Sequence, residues 1–305
     1  MKHAFILLLL ISFGFNSTSQ INMLDSTAQV VGYWNKGEKK SYRIVLEKSK
    51  QKGKQILSKD STVYEIDITL LEATDRYYSM EWHYKYIQTK SKDPLALKLY
   101  QIFKDLKVIC RTDELGGFIE VSNWLEIKIK MEKAFSILKK EFKSPEIAAA
   151  LKTFETIFLT KEGIEQMGLK EIQQFYYFHG AKFKLKEKEE TEIQVPNLLS
   201  QEPLFAKLTT ELEKINLTDS TIELSALQKV DPAELTELLY NYLLRLSKTM
   251  KTPAPKKEEL KNLKNEIHTK ATINSQGWLI KNIQTVSVSS GQYLNIEKRK
   301  IELVN

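Results

Sequence analysis

The sequence predicts an α+β fold, in which a curved antiparallel β-sheet made of two meander halves packs against a helical insert. Three observations carry this prediction. Apolar and polar residues alternate in many short segments, as in half-buried strands. After position 122 the apolar spacing changes to three and four residues, as in helices. Turns containing glycine or proline separate the segments. We expect a signal peptide at 1–19, a first β half at 20–121, a helical insert at 122–180 and a second β half at 181–305, with 20–305 forming one compact unit.

The first β half opens with two strands that flank a polar segment. Tyr42, Ile44 and Leu46 alternate with polar neighbours, which predicts the first strand. Residues 63–71 repeat the alternation and predict the second strand. The polar stretch 48–59 has no apolar periodicity, so the sequence predicts a loop there.

The third predicted strand, residues 77–88, has the strongest alternation in the chain. Aromatic walls of this kind line cavities for hydrophobic ligands or saccharides, and they also form ordinary core beneath helices. We predict that this face points inward and keep both roles open. The candidate ligand-binding residues on it are Tyr78, Met80, Trp82, Tyr84 and Tyr86.

Four segments have helical apolar spacing, and two of them begin with a clear start signal. Ser144 before Pro145, and Asp231 before Pro232, each place a capping side chain ahead of a proline in the first turn. The predicted helical segments, which we expect to cover one side of the sheet, are 93–106, 122–143, 145–178 and 231–250. Gly163 and Gly168 interrupt the third segment, so we expect one helix that runs through Phe158 and a further short helix at 170–179. The remaining predicted strands are 108–112, 118–121, 192–195, 204–215, 220–230, 266–274, 278–289 and 292–304.

The two β halves share an order of elements. Each has three strands, then a helix, then a hairpin in which a glycine precedes an aromatic and an aliphatic residue. These tripeptides are Gly117–Phe118–Ile119 and Gly277–Trp278–Leu279. The shared order fits an internal duplication, and chance recurrence in antiparallel meanders is the alternative.

The N-terminus has the three parts of a secretory signal. Lys2 precedes an apolar run at 4–15, and the small residues Ser17 and Ser19 occupy the positions read before cleavage. The run has 12 residues, whereas a membrane-spanning helix needs about 20. A lipid anchor would need a cysteine at the cleavage point, but the only cysteine is Cys110. We therefore expect an exported, soluble protein of the periplasm or the extracellular space, with no transmembrane segment after cleavage.

Charge and composition argue against nucleic acid as a partner. The formal net charge is +7, yet lysines alternate with glutamates and the arginines are few and scattered. Nucleic-acid readers depend instead on clustered arginines. The pattern predicts a solvated surface of mixed charge. The arginines are Arg43, Arg76, Arg111, Arg245 and Arg299.

No motif predicts catalysis, a metal site or a cofactor. His83, His179 and His268 have no second histidine nearby, so we expect them to be surface residues rather than zinc ligands. Cys110 lies in a strand-like run and is expected to be buried and inert. Nucleophile elbows, glycine-rich phosphate loops and calcium loops are missing from the sequence. We predict a non-enzymatic protein, with a secreted hydrolase as the least favoured alternative.

Three motifs resemble a family of secreted Bacteroidota proteins that contain a domain of unknown function. They are GYWNKGE at 32–38 followed by Tyr42, TDELGGF at 112–118 followed by Asn123–Trp124, and the closing Gly277–Trp278. The resemblance implies a secreted protein and no particular activity. A curved sheet with helices against it is also similar in architecture to periplasmic lipoprotein carriers, which hold acyl chains in the concavity.

Two functions from different classes follow from these observations. The first is a binding protein for a hydrophobic or amphipathic, lipid-like ligand. The second is a structural or partner-binding component of the cell envelope with no small ligand. A cavity between sheet and helices favours the first, and a filled core with an exposed apolar patch favours the second.

Overall fold

A computed structural model describes residues 20–91, 94–165, 169–195, 203–250, 252–260 and 263–304. It confirms a mixed α+β fold built on a large, open antiparallel sheet of 11 strands. The strands are β1 (Ile21–Asn22), β2 (Thr27–Gln29), β3 (Lys39–Lys52), β4 (Gln55–Ala73), β5 (Tyr77–Thr89), β6 (Lys107–Asp113), β7 (Phe118–Val121), β8 (Lys182–Lys184), β9 (Lys188–Val195), β10 (Leu204–Asn216), β11 (Thr221–Val230), β12 (Lys264–Asn274), β13 (Leu279–Ser290) and β14 (Tyr293–Leu303). The helices are α1 (Pro94–Phe103), α2 (Trp124–Glu141), α3 (Pro145–Phe158), α4 (Lys161–Gly163), α5 (Lys170–Tyr176) and α6 (Pro232–Met250), with a 3-10 turn at Lys257–Leu260.

The two β halves join through the first long strand and the last strand of the chain. The sheet order is β7-β6-β5-β4-β3-β14-β13-β12-β11-β10-β9. Strand β14 pairs with β3 over the whole length of β14, from Leu303 opposite Tyr42 to Tyr293 opposite Lys52. The halves therefore form one continuous sheet. Strands β1, β2 and β8 make a separate sheet of three strands.

The predicted loop at 48–59 is wrong, because these residues continue β3 and β4 as a hairpin. Lys48 pairs with Asp60 and Lys50 with Ser58, and the chain turns at Gly53 with a φ of 57°. Most side chains in this hairpin are polar or exposed on both faces. A strand that buries neither face has no apolar alternation, so periodicity could not detect it.

The predicted interruption of the helical segment 145–178 is confirmed, because the chain forms α3, the short α4 and α5 there. Thr160 starts a new turn, since its side chain accepts a hydrogen bond from the backbone N–H of Gly163 at 3.0 Å. The break lets α5 leave the helical cluster and lie against β13 and β14.

One face of the sheet, the inner face, carries the main core. It includes Tyr42, Ile66, Trp82, Leu224 and Ile301, each no more than 1% exposed. We call the end of the sheet with the β6–β7 and β12–β13 turns the upper end. The lower end has the β3–β4 and β13–β14 turns. The core fills the upper end.

The predicted burial of Cys110 is confirmed. Its side chain has no exposed surface and belongs to the main core. Burial raises the pKa of the thiol well above its ordinary value, with a smaller contribution from the charge of Glu165. A thiol that stays protonated is a poor nucleophile, so a structural role fits this residue.

The outer face carries the mixed charges that the composition predicts. Lys270 of β12 contacts Glu213 of β10 at 3.0 Å across the intervening strand β11, and Lys281 of β13 contacts Glu302 of the neighbouring β14 at 3.4 Å. Exposed pairs of this kind contribute little to stability. They keep one face of a large open sheet compatible with water.

The two glycine turns at the upper end have the same hydrogen-bond pattern. Asp113 Oδ1 accepts the backbone N–H groups two and four residues later, at 3.0 and 2.7 Å. Asn274 Oδ1 does the same at 3.0 and 2.9 Å. Gly116 and Gly277 hold equivalent positions with φ of 93° and 80°, a region that favours glycine. The equivalent of Gly277 is therefore Gly116 and not Gly117, so the predicted match of the two tripeptides is wrong by one residue, although both halves turn at this point.

The segment before β3 passes between these two turns. The N–H of Gly32 donates to the carbonyl of Leu115 at 2.9 Å, and the N–H of Tyr33 donates to that of Gln276 at 3.1 Å. Trp34 follows and is only 3% exposed. The lead segment thus joins the two halves of the sheet at its upper end.

Candidate ligand-binding face

Four of the five predicted site residues lie in the main core or against it. Met80 and Trp82 have no exposed surface, and Tyr84 is 4% exposed. Tyr78 is partly buried and packs against the core. The ring of Trp82 meets that of Phe175 edge to face, with centroids 5.2 Å apart. The inward orientation of this face is therefore confirmed for these four residues, and their contacts favour a packing role. Ligand binding by them stays a prediction.

Tyr86 does not share this face, which corrects the predicted alternation. Ile66 pairs with Tyr84, but its neighbour Glu65 pairs with Tyr86, so Lys85 forms a bulge. The extra residue moves Tyr86 to the outer face, where it is 49% exposed.

Helix α5 closes the upper part of the inner face. The side chains of five of its residues are buried: Glu171, Ile172, Gln174, Phe175 and Tyr176. Gln174 Nε2 donates to Asn282 Oδ1 at 2.8 Å, and Asn282 Nδ2 donates to the carbonyl of Gln174 at 3.1 Å. This reciprocal pair fixes α5 on β13.

A polar network lies at the lower edge of α5. The hydroxyl of Tyr84 donates to Glu171 Oε1 at 2.5 Å. Burial and the neighbouring carboxylate of Glu171 raise the pKa of Tyr84 well above its ordinary value. Arg299 Nη2 donates to Glu297 Oε1 at 2.9 Å, and its Nε lies 4.0 Å from Glu171 Oε2. The network marks the boundary between the filled part of the inner face and the part below it.

The expectation that all histidines lie at the surface is wrong for His179. It is 8% exposed, and its ring stacks on Phe175 with centroids 5.9 Å apart. Nε2–H donates to the carbonyl of Gly277 at 2.8 Å. Burial lowers the pKa of His179 to about 4. The neutral ring is thus part of the packing around the upper turns.

Below α5, a row of inner-face residues is only partly covered. Leu208, Gln228, Ile267 and Val286 are cross-strand neighbours on β10, β11, β12 and β13. All four are partly exposed. We call them the half-covered row. Sequence alternation places these residues on strands, but it does not say which row a helix covers.

The half-covered row lies directly below a buried region of the same face, where Leu224 and Ala271 are at most 4% exposed. On β10 and β11 the residues below the row, Ala206 and Val230, are also buried, at 2% and 3% exposed. On β13 the exposure continues toward the lower end of the sheet, where Val288 is 37% exposed. The row is therefore enclosed on β10 and β11 and open toward the lower end on β13.

The same row becomes charged where it crosses into β14 and β3. Val286 pairs with Glu297, and Glu297 pairs with Lys48. Lys48 Nζ lies 3.4 Å from Glu297 Oε2. The row is thus apolar on β10, β12 and β13, carries the uncharged polar residue Gln228 on β11, and is charged on β14 and β3.

Helix α6 contacts β10 and β12 but buries none of its described apolar side chains completely. Its partly exposed apolar residues are Leu235, Leu238, Leu239, Tyr240, Tyr242, Leu243 and Leu244. Two apolar surfaces in full contact would cover each other. The half-covered row and the apolar side of α6 both retain accessible surface, so apolar area remains open on both.

Two depressions lie on the outer face of the sheet. One of about 530 Å³ is lined mainly by charged residues, including Arg43, Glu65 and Lys281. A second of about 180 Å³ lies beside Glu213 and Lys270. Their charged linings fit contact with water better than contact with an apolar ligand.

In the part of the chain that the structure describes, no group of three or more histidine, cysteine, aspartate or glutamate residues could hold a metal ion. Among the described helices, none is long and apolar enough to span a membrane.

Comparisons with known proteins place this fold only distantly. No protein-family model matches the chain, and no curated protein matches it. The chain is similar to lipovitellin, in a structure described by its lipid–protein interactions, with 10% identity and a TM-score of 0.42. That match covers 89% of this chain and 25% of lipovitellin, so the chain spans about a quarter of its length. An outer membrane channel from Pseudomonas putida F1 matches with 6% identity and a TM-score of 0.14, over 90% of this chain and 97% of the channel. Both TM-scores are low, and neither likeness assigns a function.

Proposed function

We propose that this chain is an exported, non-enzymatic binding protein for an amphipathic ligand. The apolar part of the ligand lies on the half-covered row, beneath α6, and its polar part points toward Lys48 and Glu297. The observation that carries the proposal is the incomplete cover of Ile267 and Val286, although α6 contacts β12, the strand of Ile267, and β10.

Burial energetics support a ligand at this position. Apolar area that is removed from water contributes about 25 cal/mol per Å² of favourable free energy. The apolar surface left open between α6 and the sheet does not make this contribution. A ligand that covers the half-covered row would remove the surface from water, and the free energy gained would favour binding. The change from apolar side chains on β13 to the Lys48–Glu297 pair matches a molecule with an apolar chain and a polar end.

The proposal is tested by native mass spectrometry of protein recovered after export. We expect a co-purified amphipathic molecule, and we expect the intact mass to show a chain that begins at Gln20. A dansyl-labelled fatty acid serves as the defined probe, and its fluorescence should rise when it binds.

A matched pair of double variants locates the site. Ile267 and Val286 face each other on the inner face, whereas the next pair, His268 and Thr285, points to the outer face. Ile267→Ser with Val286→Ser should weaken probe binding at least about tenfold, since two apolar contacts are lost. His268→Ser with Thr285→Ser should leave it unchanged. Absence of both a co-purified molecule and probe binding would favour an envelope component with no small ligand.

A further inference from the structure

Helix α2 has large apolar residues on two opposite sides. One side is buried, through Ile127, Ala134, Phe135 and Leu138. On the other side Leu125, Ile129 and Ile137 are 55%, 49% and 54% exposed. A helix that only covered a core would need apolar residues on one side. The exposed residues therefore need a separate explanation.

Three lysines share the exposed side with these residues. At about 100° per residue, Lys130, Lys133 and Lys140 fall with the three apolar residues in one arc about 140° wide. Glu126 and Ser136 are also in the arc. The paired lysines of α2 lie elsewhere: Lys128 contacts Glu132 at 3.8 Å, and Lys139 contacts Glu155 at 2.5 Å. The lysines of the arc have no ion pair with any described residue.

We propose that this side of α2 is a docking surface for an anionic lipid bilayer. The surface, which we call the α2 arc, consists of Leu125, Ile129, Lys130, Lys133, Ile137 and Lys140. Apolar side chains of such a helix enter the headgroup region while lysines remain near the phosphates. The proposal does not depend on a ligand in the half-covered row.

The composition of the α2 arc favours a membrane over a protein partner. Lysine is depleted at protein–protein interfaces, because its charge is costly to desolvate there. Near an anionic bilayer each lysine is instead favourable and stays hydrated. The α2 arc has three apolar residues and three lysines but only one acidic neighbour, Glu126. This composition fits the surface of an anionic bilayer.

The packing of α2 makes it suitable as a docking element. Phe135 and Leu138 form a small core with Leu151 of α3, separate from the main core of the sheet. The arc projects from the opposite side of the helix. Contact with a membrane can therefore occur without opening either core.

Vesicle co-sedimentation tests the proposal. The apolar run at 4–15 would bind lipid by itself, so the protein used begins at Gln20 and contains every described residue. We expect binding to phosphatidylcholine vesicles that contain phosphatidylglycerol, and weaker binding to phosphatidylcholine alone. Changing Lys130, Lys133 and Lys140 to Gln should weaken binding about 100-fold, because each lysine near an anionic surface contributes about fivefold.

A variant with the same change in charge is the control. Lys50, Lys54 and Lys59 are exposed on the β3–β4 hairpin, and changing all three to Gln should reduce binding only a few-fold. A serine variant at Leu125, Ile129 and Ile137 should weaken binding at least about tenfold. Both α2 variants should still bind the dansyl-labelled fatty acid, which separates this test from the test of the ligand site.

Three results would overturn the proposal. The first is no binding of the unchanged protein to anionic vesicles. The second is an equal loss in the hairpin control, which would mean that net charge alone attracts the protein. The third is a dimer in sedimentation velocity that the serine variant dissociates, which would assign the α2 arc to a second copy of the chain.

Discussion

Helices α5 and α6 both lie against the large sheet, but they cover it very differently. Helix α5 has only seven residues, and five of them are buried. Helix α6 has 19 residues, and its described apolar side chains all keep exposed surface. Helix length therefore does not decide how much of a sheet is covered. Two hydrogen bonds between Gln174 and Asn282 hold α5 on β13, whereas Glu234, at the start of α6, accepts the backbone N–H of Phe205 on β10 at 3.0 Å.

The difference separates the inner face into a structural part and an accessible part. The upper part is closed by α5, the lead segment and the aromatic residues of β5. The half-covered row lies below, where α6 approaches β10 and β12. Stability should depend chiefly on the first part, and ligand binding on the second. Matched substitutions, one in the upper part and one in the accessible part, test this division.

The largest effect is expected from Trp82→Ala. The side chain is fully buried, and its Nε1–H donates to the hydroxyl of Tyr176 at 3.3 Å. Removal should cost about 3–5 kcal/mol of unfolding free energy, measured by urea denaturation. Tyr242→Ala in α6 removes a partly exposed ring and should cost about 1 kcal/mol or less. Equal costs for the two variants would contradict the division of the inner face.

The next effect is the loss of stability in acid that His179, in the upper part, contributes. Burial lowers the pKa of His179 to about 4 from an ordinary value of 6.5. Between these values the unfolded chain binds the proton and the folded chain does not, so stability falls as the pH falls. The loss should reach about 3 kcal/mol near pH 4.

Urea denaturation between pH 7 and pH 4 checks this expectation against a matched variant. His179→Gln should remove this part of the pH dependence, although it also lowers stability at pH 7. The exposed His268 on β12 provides the control, and His268→Gln should leave the pH dependence as it is. An unchanged acid transition in the His179 variant would show that other groups account for it.

Elements with a one-sided apolar pattern or a capping signal were predictable from the sequence. Asp231 accepts hydrogen bonds from the N–H groups of Ala233 and Glu234 at 2.8 and 2.9 Å, as its position before a proline predicts. Ser144 caps α3 through the N–H of Ile147 at 3.2 Å. Such signals act within a few residues and need no tertiary context.

Features that depend on tertiary context were not predictable. The bulge that turns Tyr86 outward follows from pairing with β4, and the buried position of Glu171 depends on the hydroxyl of Tyr84. The half-covered row is defined by cross-strand register and by the distance of α6 from the sheet. Neither quantity is encoded in the periodicity of a single strand.

The smallest effect is also the most direct comparison, because it uses two isoleucines on the same face of β12. Ile273 has no exposed surface, whereas Ile267 is partly exposed. Ile273→Val should cost about 1 kcal/mol, since it leaves a cavity in a packed core. Ile267→Val should cost only a few tenths of a kcal/mol, because water or a ligand already reaches the deleted methyl group. Urea denaturation of the two variants measures the difference.

With the dansyl-labelled fatty acid bound, the cost at Ile267 should rise toward that at Ile273, because the ligand then covers the row. If Ile267→Val costs as much as Ile273→Val without ligand, the row is as closed as the upper core. No space would then remain beneath α6 for the proposed ligand.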